Sequence, residues 1–309
     1  MLPLADTHVH LLAGLDDGPR DADEALAMCR MLVAEGCRTA TALAHQNLSW
    51  PANDADRLKA AATELSARLK EHKIPLTVYP TGEVMLSPEL VADWKAGRLL
   101  SYGGHGKFLL VEMPHGLYVD VRPFAAELRP LGVRLVVAHA ERYPELLHEV
   151  GAADRLVAAG CLIQVTASEI AAPSSGRVER SLRDWAKRGV IHLLGSDGHR
   201  LGGREPRMKA GYEALARWVG TSAADRAGGI WGPAILQGQP VNVPQPVQKP
   251  AKLVRPAVRR VTVRHGGRLA PVADSHHHPG YGLLPVMICW ILADLIDSTV
   301  VLNRIVCVR

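Results

Sequence analysis

The chain has 309 residues, 48% hydrophobic and 22% charged, the balance of a globular protein able to bury a sizeable core. Its net charge of +5 is uneven: residues 1–241 carry 27 basic against 28 acidic side chains, and residues 242–309 carry 9 against 3. A near-neutral body argues against a nucleic-acid-binding face, and five scattered cysteines with no Cys-x-x-Cys argue against a disulfide frame or a thiolate zinc site.

In chain order, residues 4–9 read as a first strand running into Asp6-Thr7-His8-Val9-His10. No secretory signal precedes it, so a cytoplasmic protein is expected. On a strand, His8 and His10 share a face, because side chains alternate with period two. Residues 21–35 read as a helix with an apolar stripe that Gly36 stops. Residues 38–44 form a second strand ending at His45, a polar helix covers 54–71, and the Ile74-Pro75 step closes it. A third strand within 76–84 delivers Glu83, and a helix follows near 87–96. Residues 108–111 are a short buried strand ending at Glu112. Residues 119–131 are helical, with Pro123 tolerated in the first turn. Residues 133–138 are a strand ending at His139, helical pieces lie within 144–159, and 161–166 are another strand. A helix at 177–188, a strand at 190–195 ending in Ser196-Asp197-Gly198-His199, and a last helix at about 207–219 complete the body.

Seven apolar strands alternating with helices imply a parallel sheet that right-handed crossovers can close into a barrel. His8, His10, His45, Glu83, Glu112, His139, Asp197 and His199 all fall at carboxyl ends of strands, the rim where β/α barrels carry their active sites. With Asp17 in the Gly-rich turn after His10, the candidate donors are five imidazoles and four carboxylates without a thiolate, a set suited to Mn²⁺, Fe²⁺ or Zn²⁺. That is too many for one ion, so two or three divalent metals are expected. Three would set six positive charges against four carboxylates, a pocket fit for a phosphate dianion. Arg142 and Arg204 lie just beyond His139 and His199, and their forked guanidiniums match phosphate oxygens. The chemistry expected is metal-assisted hydrolysis, with His199 or Asp197 as candidate proton donor to the leaving oxygen. No cysteine has an arginine six positions later, and there is no Gly-x-Ser-x-Gly elbow or Walker loop. His72, His105, His115, His148 and His192 lie off the rim and read as surface or core residues. Trp50 reads equally as loop packing or as the wall of a substrate slot, and Asp16 as a turn residue.

Residues 242–309 differ: a Pro/Val-rich basic linker, then a mostly apolar stretch at 283–302. Asp294 and Asp297 inside it disfavour a membrane span against an amphipathic or poorly structured end. Any membrane contact is expected to be indirect or through this segment. The run at residues 276–278 reads as a solvated polar stretch.

The pieces DTHVHLLAGLDDG, GEV, LLVEMP, AHAERY and GSDGHRLGGR, with the strand ending at His45, resemble in order and spacing the polymerase-and-histidinol-phosphatase superfamily. More narrowly they resemble its CpsB/CapC/YwqE-type bacterial protein-tyrosine phosphatases, over about residues 4–241. The resemblance implies a distorted seven-stranded β/α barrel and a trinuclear, manganese-preferring centre. One metal would take His8, His10, Glu83 and Asp197, a second Glu83, Glu112 and His139, and a third Asp17, His45 and His199. It also implies phosphate-holding roles for Arg142 and Arg204, and phosphotyrosines on a bacterial tyrosine autokinase of capsule or exopolysaccharide assembly as substrate. Gln46, Ala140 and Gly198 depart from the family pattern without removing a ligand. A histidinol-phosphate or other small-phosphomonoester phosphatase is the nearest alternative, and a non-catalytic kinase-binding regulator is the alternative of another class.

Overall fold

A computed structural model describes residues 2–247. The expected apolar segment, the histidine run and the linker beyond residue 247 lie outside the described residues. Seven parallel strands follow one another in chain order: β1 (Leu4–Asp6), β2 (Cys37–Gln46), β3 (Thr77–Met85), β4 (Phe108–Glu112), β5 (Arg134–Val137), β6 (Leu162–Thr166) and β7 (Leu193–Gly195). Between and after them run α1 (Ala22–Ala34), α2 (Ala55–Glu71), α3 (Leu90–Lys95), α4 (Arg122–Leu128), α5 (Pro144–His148), α6 (Ala152–Ala158), α7 (Ala167–Ala171), α8 (Gly176–Arg188) and α9 (Lys209–Val219). Helix starts follow the caps: Asp21 accepts from Glu24 N and Asp54 from Arg57 N, satisfying amides that would otherwise lack partners.

The sheet closes into a nearly complete barrel at β1 and β7. Thr7 N and Oγ1 both donate to Leu194 O, at 3.2 and 2.7 Å, and Asp197 N donates to His8 O at 2.7 Å. Strand β1 is shorter than its apolar run suggests. The chain bends at Thr7–His8, where Asp6 Oδ1 accepts the His8 N–H, and Val9 and His10 then make isolated bridges to Gly198 and Leu43. His8 and His10 therefore sit on a bent continuation of the strand, not on the strand itself.

Strand alternation sorts the interior. Leu43, Phe108, Leu110, Val136, Leu162 and Leu193 form a cluster of their own, while Ala42, Leu109, Val111, Leu135, Val137, Ile163 and Leu194 join the larger core with the helices. Ile235 and Leu236 belong to the inner cluster. They come from α11 (Trp231–Leu236), which with α10 (Thr221–Asp225) and a π turn at Arg226–Ile230 continues past the helix expected to be last. Gly220, Gly228, Gly229 and Gly232 hide that helical stretch from a reading by periodicity. Among the described residues no helix is long and apolar enough to cross a membrane.

Candidate metal centre at the barrel mouth

Two residues beyond the inner apolar layer, the same strand faces turn polar. Leu43 is followed by His45, Leu110 by Glu112 and Leu162 by Gln164, while on β7 Leu193 is followed by Gly195, whose missing side chain leaves room for His8 and Gln164. Parallel pairing sets His45 directly beside Glu83 and Met85 beside Glu112. Glu83, 1% exposed, is the hub: its Oε2 lies 3.2 Å from His8 Nε2, His10 Nε2 and His45 Nδ1, and its Oε1 lies 3.0 Å from His139 Nε2.

The other expected residues gather around it. Asp197 Oδ1 is 3.3 Å from His8 Nε2, and Glu112 Oε1 is 3.2 Å from His45 Nδ1. Asp17 Oδ1 is 3.4 Å from His45 Nε2 and 3.5 Å from His199 Nε2. Arg142 and Arg204, each about half exposed, both bond Asp197 Oδ2, and a hollow of about 330 Å³ beside them is lined by Thr166, Ser168 and Ser196. A roomier hollow of about 460 Å³ lies around the start of β7, among Trp218, Arg226 and Trp231, and holds none of these groups. All eleven side chains singled out from the sequence meet at one end of the barrel.

Two of them arrive by an unusual backbone. His139 (φ 31°) and Asp197 (φ 54°) are left-handed, a conformation side-chain-bearing residues avoid and which concentrates at functional sites. By alternation His139 follows Val137, which faces the helices; the left-handed turn re-aims the imidazole into the barrel.

Burial and charge pull the titrating groups apart. Burial drives His10 and His45 down, but carboxylates reverse it. Asp16 and Glu83 leave His10 at about 9, and Asp17, Glu112 and Glu83 leave His45 at about 11. Burial and the charge on His10 push His199 down to about 3. Burial favours the acid form of Glu83 and Asp197, yet the facing histidines, joined by Arg142 at Asp197, hold both carboxyls well below the usual range.

The donor chemistry fits divalent cations. His8 Nε2, His10 Nε2, Asp17 Oδ1, His45 Nδ1, Glu112 Oε1, His139 Nδ1 and His199 Nε2 are buried without a hydrogen-bond partner, a cost of about 1–3 kcal/mol each if nothing else satisfied them. One atom from each member of four groups lies within 4.8 Å of the others: His10/Asp17/His45/His199, His8/His10/Asp197, His8/Glu83/His139 and His45/Glu83/Glu112.

The sequence reading under-used three residues. Asp16 does hold the turn through Gly18 N (2.8 Å), and its other oxygen also takes His10 Nδ1 (2.7 Å) and His45 N (2.9 Å). Gln164, fully buried, accepts from His139 N at 2.7 Å. Asp6, pushed up to about 6 by burial, accepts from His8 N and Ser196 N and so ties the two ligand-bearing segments together. The available signal was a polar residue inside an otherwise apolar strand, as in Leu162-Ile163-Gln164-Val165. Trp50 stacks on His45, with ring centroids 5.2 Å apart and planes 8° apart. Gln46 is structural: it bonds Asn53 O, Arg98 O and Leu100 N.

Residues 4–228 match the family described as capsular polysaccharide synthesis, CpsB/CapC. Tyrosine-protein phosphatase YwqE of Bacillus subtilis (strain 168) is 30% identical over 223 residues, 71% of this chain and 86% of that protein. Tyrosine-protein phosphatase CpsB of Streptococcus pneumoniae is 22% identical over 227 residues, 72% and 93% of the two chains. A chain from the crystal structures of Bacillus subtilis YwqE and Streptococcus pneumoniae CpsB, described as unique metal-dependent tyrosine phosphatases, superposes with a TM-score of 0.71 at 26% identity. That alignment covers 80% of this chain and 100% of the solved one. Since the matched stretch runs through every strand that brings a side chain to the barrel mouth, the chain belongs to the CpsB/CapC family.

Proposed function

We propose that this protein is a metal-dependent phosphatase that hydrolyses phosphotyrosine on protein, at a centre of two or three divalent cations. The observation that carries the reading is the gathering of seven buried side-chain atoms without partners at the barrel mouth, three of them, His8 Nε2, His10 Nε2 and His45 Nδ1, within 3.2 Å of the Glu83 carboxylate. His8, His10, Glu83 and Asp197 would hold one cation, Glu83, Glu112 and His139 a second, and Asp17, His45 and His199 a third. Mn²⁺ is our first choice, with Fe²⁺ and Zn²⁺ next, because imidazole and carboxylate donors without thiolate suit harder and borderline ions. Bound there, such cations supply a water of lowered pKa and Lewis-acid neutralisation of charge at the phosphoryl group.

The chain's own groups do the rest. Arg142 and Arg204 present two guanidiniums from one side, and each can turn from Asp197 to a phosphate oxygen with charge-assisted bonds. His199 and Asp197, beside each other at the mouth, are the candidate proton donors to the leaving phenolate, whose acid has a pKa of about 10. As substrate we propose the phosphotyrosines of a tyrosine autokinase of capsule assembly, met in the cytoplasm, on the strength of the family to which the chain belongs.

The test is reconstitution of the metal-stripped full chain with Mn²⁺, Fe²⁺ or Zn²⁺, followed by turnover of a phosphotyrosyl peptide and of histidinol phosphate. Preferential hydrolysis of the peptide is expected. Faster release of phosphate from histidinol phosphate would move the assignment to small phosphomonoesters. Full metal loading with no turnover of either, but with binding of the kinase, would make the protein a regulator.

A further inference from the structure

The bare nitrogens at the barrel mouth are a consequence of what lies behind each ring. Gln164 is 0% exposed, and main-chain groups that have no choice of role fix its amide. His139 N can only donate, and it lies 2.7 Å from Oε1; Val165 O can only accept, and it lies 3.2 Å from Nε2. An oxygen therefore faces His8 Nδ1, at 3.3 Å, and the His8 ring must carry its proton there. The space is built for this contact. A Cβ on Gly195 would fall 2.5 Å from His8 Cβ and 2.6 Å from Gln164 Nε2.

Asp16 does the same for His10 by a different means. Its Oδ1 is taken by Gly18 N, and its Oδ2 by His45 N and by His10 Nδ1 at 2.7 Å. His199 is fixed a third way, with Nδ1 2.9 Å from the main-chain oxygen of left-handed Asp197. In each case the remaining Nε2 is buried without a hydrogen-bond partner and turned toward the carboxylates.

We propose that Gln164 and Asp16 are positioning residues that lock His8 and His10 into the Nδ1–H tautomer and grade their donor strength, a neutral amide behind one and a carboxylate behind the other. The inference rests on the metal-centre reading above. A carboxylate polarises the imidazole N–H more than an amide does, so His10 is the stronger donor of the pair and anchors the cation it shares with His8. Gln164 has a second task in the same bond: it satisfies the N–H of His139, whose left-handed backbone has no strand partner to do so.

Co²⁺ binding to the metal-stripped full chain, read by visible absorption, tests this without recourse to activity. Gln164→Leu is expected to weaken the tightest Co²⁺ site about 10–100-fold and change its absorption bands, and Gln164→Glu, which keeps an acceptor, to restore the affinity. Asp16→Asn should fall between wild type and Asp16→Ala. In ¹H–¹⁵N spectra of the Zn²⁺-loaded protein, His8 and His10 should both be protonated at Nδ1. Wild-type affinity and bands in Gln164→Leu, equal losses in Gln164→Glu and Gln164→Leu, or a proton on Nε2 of either ring would overturn the proposal. If Gln164→Leu does not fold, the Asp16 pair and the ring protons decide. Failure of the wild-type protein to bind Co²⁺ would remove the metal-centre reading and this inference with it; normal binding by wild type and all variants alike would remove the inference alone.

Discussion

His192 near one end of the barrel and His10 at the other are buried histidines with opposite fates. At the start of β7, His192 is fully buried, its Nδ1 accepts from Ile163 N at 2.9 Å, and burial, reinforced by Arg134, pushes it down to about 3. At the mouth, His10 is buried as deeply, yet Asp16 and Glu83 carry it up to about 9. Burial alone makes a histidine a neutral hydrogen-bonding piece of core; burial among carboxylates makes a place that demands positive charge. The first kind stabilises a fold. The second exposes the fold to the cost of unpaired charge unless cations or protons supply the balance.

The comparison is broken most severely by removing the carboxylate hub. Glu83→Gln keeps the shape but withdraws the charge that four histidines share, and should cost at least about 100-fold in turnover together with at least one bound metal. Elemental analysis and kcat/KM measured together check this; retention of all metals would show that the histidines need no such partner. A smaller effect is expected at the rim. Arg204→Ala should keep its metals and weaken inhibition by inorganic phosphate about 10–100-fold, as loss of one charge-assisted bond worth about 1.5–3 kcal/mol requires. An unchanged inhibition constant would assign the arginine to Asp197 alone.

The smallest effect sharpens the comparison from the other end. The folded pKa of His192 lies near 3, below the unfolded value of 6.5, so between those values the unfolded chain binds the extra proton. Its contribution to stability is fully present above pH 6.5 and is lost as pH falls, by about 1.4 kcal/mol per pH unit. Urea unfolding of metal-free wild type and His192→Leu at a series of pH values should give a shallower acid slope in the variant, beneath an offset of about 1–3 kcal/mol from the unpaired Ile163 N–H. Parallel slopes would mean that His192 titrates normally.

Much of this was readable in the chain because strands and barrels are periodic. Apolar runs of strand length, capped helices between them and a polar residue just past each run place His45, Glu83, Glu112 and Asp197 on one rim by topology alone. The offset of His139 was not readable: alternation points it outward, and the backbone turn that corrects it depends on Gln164 waiting on the neighbouring strand. Nor was the Gly-rich helical stretch after Gly220, whose Ile235 and Leu236 join the inner apolar cluster only because a barrel is there to receive them.

The sequence by itself determined which chemistry this protein carries, because donor type and strand-end position are local properties of the chain. Only the tertiary structure decided which ring nitrogen of His8, His10 and His199 meets a fixed partner and which is left without one. A ring nitrogen is protonated or bare according to the acceptor behind it, and for His8 that acceptor is Gln164, 156 residues away.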